Sequence, residues 1–326
     1  MKRDADGAVS DPKALVAPHA ERGYDHLIEA CRTTAARCPE VRSLTHLTLN
    51  AVDFSIRAAA AVPFSDALPW DDEVEVEGRP ARRLVRWVTE MDAAMRPLNT
   101  GELMRVLAVT RSAGAQCSRL RHGQYVVGVS TTGPGSDAVD DAVNEMVTDL
   151  RTNHYQQGNE LPGGEPGRRK RSLGAEVPLV MHVLTPDKDE ESRLRGIWQR
   201  HVNPYDLQYA GYYRRWSPVC VGDAFEHGEL ADTFLVVSVQ TRRALYRDLV
   251  FRLSSALVDL ADILRPVTRE PLERLVLDVQ EGAVYLHWLD PAAGDFLVGV
   301  TVRQKEVAVA EERLTDLIGE IRPGPR

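Results

Sequence analysis

Gly123-Gln124-Tyr125-Val126-Val127-Gly128-Val129-Ser130 and Gly294-Asp295-Phe296-Leu297-Val298-Gly299-Val300-Thr301 are one pattern written twice. Each copy is a glycine, an aromatic two places on, and a Val-Gly-Val close. A β-branched, aromatic-containing run opening on a turn glycine predicts a strand. The likeness extends outward on both sides. Downstream, at the same offset of 171, Val143, Met146, Val147 and Leu150 fall on Leu314, Leu317, Ile318 and Ile321. That spacing predicts a closing amphipathic helix at 136–151 and again at 306–321. Upstream the offset is 169. Leu84, Val88, Met91 and Met95 fall on Leu253, Leu257, Leu260 and Leu264, Arg96-Pro97 on Arg265-Pro266, and Leu103 and Arg105 on Leu272 and Arg274. The two-residue change of offset falls between apolar runs, where a hairpin tip tolerates length change.

The repeated unit therefore has a helix at helical spacing, ended by Pro97 or Pro266. Three strands follow, at 103–111, 116–120 and 125–130 in the first copy and 272–280, 283–289 and 296–302 in the second. A helix closes each copy. In front of each long helix, a helix at 24–37 precedes apolar runs at 44–49 and 54–62. A charged helix at 189–201 precedes runs at 207–213, 218–221 and 234–239. Short connections suit an antiparallel sheet with helices packed on it. The expected fold class is α/β, of the α+β kind: two similar modules with pseudo-twofold symmetry. The expected division is a flexible N-terminal arm at 1–23, a first module at 24–153, a linker at 154–176 and a second module at 177–322. The segment 177–184 reads as an extra strand particular to the second copy.

Whole-chain properties agree. At 326 residues the chain exceeds the usual size of a single core. A net charge of −8 disfavours nucleic acid as the main partner. No apolar run reaches the ~18–20 residues of a membrane helix. Cys31, Cys38, Cys117 and Cys220 form no C-x-x-C pair, so buried reduced thiols in a cytoplasmic protein are expected. Arg and Ala richness beside five Lys points to a GC-rich bacterial coding sequence.

The order helix, two strands, long helix, three strands, helix, with its glycine-flanked last strand, resembles the roadblock family of profilin- and longin-related modules. The likeness is strongest over 84–150 and 253–321. It implies a scaffold or regulator that dimerises through its long helix and a sheet edge, often acting with small Ras-like GTPases. A tandem chain would build that pairing internally, and homo-oligomers remain open.

No catalytic constellation stands out. There is no G-x-x-x-x-G-K-[ST] loop and no G-x-S-x-G elbow. His46 and His287 read as strand histidines, and no H-x-x-x-H or H-x-H pair offers two metal ligands. The reading is therefore no catalytic residue, no metal and no cofactor. Gly133-Pro134-Gly135-Ser136-Asp137 reads as a helix cap. Arg168-Arg169-Lys170-Arg171 reads as a solvated run or a contact for an acidic partner. The alternating Trp70-Asp71-Asp72-Glu73-Val74-Glu75-Val76-Glu77 reads as a charged edge strand or an acidic docking loop, with Asp71 and Asp72 as partner-binding candidates. Tyr209, Tyr212, Tyr213, Arg214, Arg215 and Trp216, with Tyr205, have interface hot-spot composition and no counterpart in the first copy. The expectation is a non-enzymatic protein binding another protein, a small Ras-like GTPase foremost. The alternative is a pseudo-symmetric chaperone or adaptor for an exported substrate, similar to type VII secretion chaperones.

Overall fold

A computed structural model describes residues 11–64, 72–157, 162–172 and 177–322. The architecture is mixed α/β, with every strand pair antiparallel. The chain separates into two compact units. Unit 1 takes Met1–Met91, Arg105–Pro162 and Ser255–Pro271; unit 2 takes Asp92–Met104, Gly163–Ser254 and Leu272–Arg326.

Unit 1 is built from β1 (Lys13–Val16), α1 (Asp25–Arg37), β2 (Val41–Thr48), β3 (Ala51–Arg57), α2 (Glu73–Met95), β4 (Leu103–Thr110), β5 (Gly114–Arg121), β6 (Gln124–Ser130) and α3 (Ser136–Asp149). Its strand order is β1-β3-β2-β6-β5-β4. α1 and α3 bury Leu27, Cys31, Val139, Val143 and Val147 against Leu44, Phe54, Ile56 and Val126 of the sheet. Gly128 lies under α3: a Cβ there would meet the Val143 side chain at 3.2 Å and Leu44 at 3.3 Å. The mid-strand glycine of the repeated pattern lets a helix approach closely.

Unit 2 is built from β7 (Val180–Val183), α4 (Lys188–His201), β8 (Tyr209–Arg214), β9 (Ser217–Asp223), α5 (Val239–Leu264, whose residues from Ser255 on belong to unit 1), β10 (Leu272–Val279), β11 (Gly282–Asp290), β12 (Asp295–Thr301) and α6 (Val307–Ile321). Its strand order is β7-β9-β8-β12-β11-β10. A Cβ on Gly299 would meet Leu314 of α6 at 2.8 Å. Trp198 of α4 is fully buried, and its indole donates to the Ala210 carbonyl at 3.0 Å.

Several expectations are corrected. Within the arm expected to fray, Lys13–Val16 pairs with β3. It takes in unit 1 the edge place that β7 takes beside β9 in unit 2, so such a strand is not particular to the second half. Glu73–Glu77 is the first turn of α2, neither edge strand nor loop. Its acids are paired: Glu73 with Lys13 and Arg57, Glu75 with Arg82, and buried Glu77 with Arg42 and Arg57. The run 234–239 is no strand; a 3-10 turn ends at Phe234 and α5 begins at Val239, capped by the Ser238 hydroxyl. The cap of α3 is Gly135, whose N–H donates to the Thr132 hydroxyl, while the Ser136 hydroxyl meets that of Ser130 at 3.0 Å. The linker is docked over 163–171: Gly163 N–H donates to Asp278, Glu165 N–H to the Lys305 carbonyl, Arg168 pairs with Glu306 and Lys170 with Asp316.

Candidate interaction site

The hairpin joining β8 to β9 carries most of the aromatic-arginine candidates, and the strand alternation splits them. Tyr209 and Tyr213 project to one face. Tyr209 packs beside Phe225 and Tyr246 at 6.2 and 5.8 Å, and Tyr213 stacks on Phe296 at 4.9 Å. Their hydroxyls meet at 3.4 Å, and burial pushes both phenols above their ordinary range. Tyr212 is buried on the other face, its hydroxyl accepting from Arg214 Nε at 3.3 Å. These three tyrosines are core. Half-buried Tyr205 lies apart, beneath the Arg171 guanidinium at 5.0 Å.

The tip is different. Arg214↔Ser217 closes a two-residue turn in which Arg215 (φ 51°) and Trp216 (φ 63°) are both left-handed. Such turns match strand twist but favour Asn and Gly, because a Cβ there costs about 1–2 kcal/mol. Arg215 N–H donates to Asp295 at 2.9 Å, and Trp216 N–H to the Gly294 carbonyl at 3.1 Å. The indole leans on Phe296 at 4.7 Å yet stays 40% exposed. Arg214 reaches Glu190 at 3.0 Å and is exposed, as is Arg215. The structure thus places Arg214, Arg215 and Trp216 at one exposed, hydrogen-bonded tip.

Of the acidic candidates, Asp72 belongs to unit 1, whereas the hairpin tip belongs to unit 2. Asp71 lies outside the described residues. Asp72 is exposed at the start of α2, where its carboxylate accepts from Val74 N–H at 3.2 Å, a helix-capping role.

Sequence reasoning missed a histidine cluster in unit 1. Asp53 in β3 meets His46 Nδ1 at 2.8 Å and His19 Nε2 at 3.0 Å, and accepts from the Thr48 hydroxyl at 2.7 Å. Burial alone would raise the Asp53 carboxyl, but hydrogen bonds with His46, Thr48 and His19 outweigh it and hold it below the usual range. His46 is fully buried, stacked on Phe54 at 5.2 Å, and its Nε2 has no partner. His26 and His154 rings lie 3.9 Å apart nearby in the same unit. The β2–β3 register brings His46 and Asp53 together, and no local spacing marks it.

Among the described residues no group of three His, Cys, Asp or Glu could hold a metal ion. All four cysteines are buried and free; burial pushes the thiols of Cys31, Cys117 and Cys220 up to about 12, far from thiolate chemistry at neutral pH. No described helix is long and apolar enough to cross a membrane. Comparison with protein-family models and with curated protein sequences finds no match.

Proposed function

We propose that this chain is a tandem pair of roadblock-like modules acting as a non-enzymatic regulator or scaffold, which binds a small Ras-like GTPase through the β8–β9 tip. The observation that carries the binding site is the strained tip. Two consecutive left-handed non-glycine residues present an exposed Trp and two exposed Arg, the residue types that dominate protein interfaces.

The module reading draws on three further observations. Strand order in unit 2 repeats that of unit 1 with every strand number raised by six. In each unit the glycine opening the repeated pattern is left-handed and lies under a left-handed hairpin tip. Leu49 N–H donates to the Gly123 carbonyl at 2.7 Å, as Trp216 N–H does to that of Gly294. In unit 1, Trp87 Nε1 donates to the Ala256 carbonyl at 2.8 Å, joining positions separated by 169, the offset of the repeat.

The test is calorimetric binding of purified Ras-like GTPases from the same source, loaded with GDP or a non-hydrolysable GTP analogue. Nucleotide-dependent binding is expected, weakened by at least about 30-fold in an Arg214→Ala, Arg215→Ala, Trp216→Ala variant. Binding in neither nucleotide state sinks the GTPase reading. Undiminished binding by the folded variant sinks the tip.

A further inference from the structure

One helical face of unit 2 already shows what it accepts. Residues 168–171 (Arg-Arg-Lys-Arg) run beside α6. Lys170 pairs with Asp316 at 2.6 Å and Glu312 at 3.8 Å, and Arg313 donates to the Arg171 carbonyl at 3.0 Å. One turn on, Glu320 pairs with Arg200 and meets His201 Nε2 at 2.7 Å. At the offset of 171, these α6 positions correspond to Asp141, Ala142, Glu145 and Asp149 of α3. The three acids recur in unit 1, while the buried Arg313 is replaced by alanine.

That alanine, Ala142, lines a groove. The groove, of about 840 Å³, runs between α1 and α3, lined by Asp141, Glu145 and Asp149 from one side and by Glu29 and Glu40 from the other. Against these five carboxylates the lining offers His26 and Arg37, the latter 3.9 Å from Glu145 with both side chains at least 70% exposed. Among the described residues Asp141 has no ion pair, and burial, then Asp140 and Asp137, push its carboxyl up against the pull of Arg105. An acidic helix face that holds a basic segment in one unit carries no such segment among the described residues of the other.

We propose that the α1–α3 groove docks an extended Arg/Lys-rich segment of a partner protein, gripped by Asp141, Glu145 and Asp149 as α6 grips residues 168–171. The inference rests on reading the chain as a repeated module. It concerns a second surface, remote in sequence from the hairpin tip.

The test uses the full chain and a fluorescein-labelled Gly-Arg-Arg-Lys-Arg-Ser peptide, the sequence of 167–172, followed by anisotropy at about 50 mM salt. Saturable binding is expected, absent for a Gly-Glu-Glu-Glu-Glu-Ser control. It should weaken roughly tenfold in an Asp141→Asn, Glu145→Gln variant. That variant relieves repulsion with Asp137 and Asp140, and its circular dichroism should match the parent. No saturable binding, or equal affinity for the variant, overturns the proposal. Affinity lost instead in a Glu312→Gln, Asp316→Asn variant also overturns it, because the peptide then merely displaces the chain's own segment. The GTPase measurement uses neither this peptide nor α3, so either reading can fail alone.

Discussion

At the scale of single residues, the β8–β9 tip sets stability against recognition. Arg215 and Trp216 hold left-handed backbone that Asn-Gly would adopt at little cost. An Arg215→Asn, Trp216→Gly variant is expected to unfold in urea with about 1–2 kcal/mol more stability. The same variant should lose the partner, since it removes the exposed indole and one guanidinium. A variant that is more stable and still binds would refute the role given to the tip. Asp53 sets the opposite kind of constraint. Its folded carboxyl titrates below the unfolded one, so its contribution is complete above the ordinary aspartate pKa of about 3.9 and is lost as pH falls through the folded value. Asp53→Asn should cost about 1–3 kcal/mol at pH 7, by leaving buried His46 and Thr48 poorly matched. Urea unfolding at pH 7 and pH 3 checks both points: the gap between parent and variant should narrow at the lower pH.

At the scale of elements, legibility followed how cleanly each helix separates its faces. α3 and α6 were readable because Val143, Val147, Leu314 and Leu317 are buried at helical spacing. Apolar spacing marks α2 only from Leu84 onward, whereas the helix begins at Glu73. Its first turns bury Val74, Val76 and Glu77 together, with Glu77 held by strand arginines, so the sequence shows a strand-like alternation where the helix is enclosed. The front of α5 was hidden by the reverse case: Arg242 is 1% exposed and Phe251 80% exposed, which inverts the apolar stripe. The short turn between β2 and β3 was hidden because Leu49-Asn50, not a glycine pair, takes the left-handed positions. Of the candidate site, composition marks one hairpin, and only pairing register shows which of its aromatics are core. One element carries its own pH dependence. Burial, then His154 and His46, lower the pKa of His26, against the opposing pull of Asp25. The folded state thus takes up this proton less readily than the unfolded one, so stability contributed here is full above about pH 6.5 and falls as pH drops below it. Amide exchange across Leu150–His154, the turn that carries His154 to His26, should speed up between pH 7.5 and 5.5, corrected for intrinsic rates. His154→Gln should flatten that change; unchanged exchange in the parent would show the ring pair to be inert.

At the scale of the whole chain, the segment joining the two halves behaves as part of unit 2. Its composition, rich in Gly and charge, reads as a free linker. The fold instead gives it acids to rest on, most of them far away in sequence: Glu312 and Asp316 on α6, Glu306 just before that helix and Asp278 on β10. Arg168 pairs with Glu306 and Glu165, Lys170 with Glu312 and Asp316, and Gly163 N–H with Asp278. Such partly exposed pairs are each worth at most about 1 kcal/mol, so the docking is a local equilibrium that few substitutions can shift. Trypsin reads that equilibrium, because Arg168-Arg169-Lys170-Arg171 offers consecutive cleavage sites only when lifted from α6. A Glu306→Gln, Glu312→Gln, Asp316→Asn variant should be cut there roughly tenfold faster than the parent, and about 1 M salt should accelerate the parent toward the variant's rate. Mass mapping of the first cut separates this from general unfolding, which would open sites throughout both units at once. If the parent is cut at 168–171 as fast as the variant at low salt, the segment is not held. The template for a basic ligand on α3 would then lose its model, while the hairpin tip would be untouched.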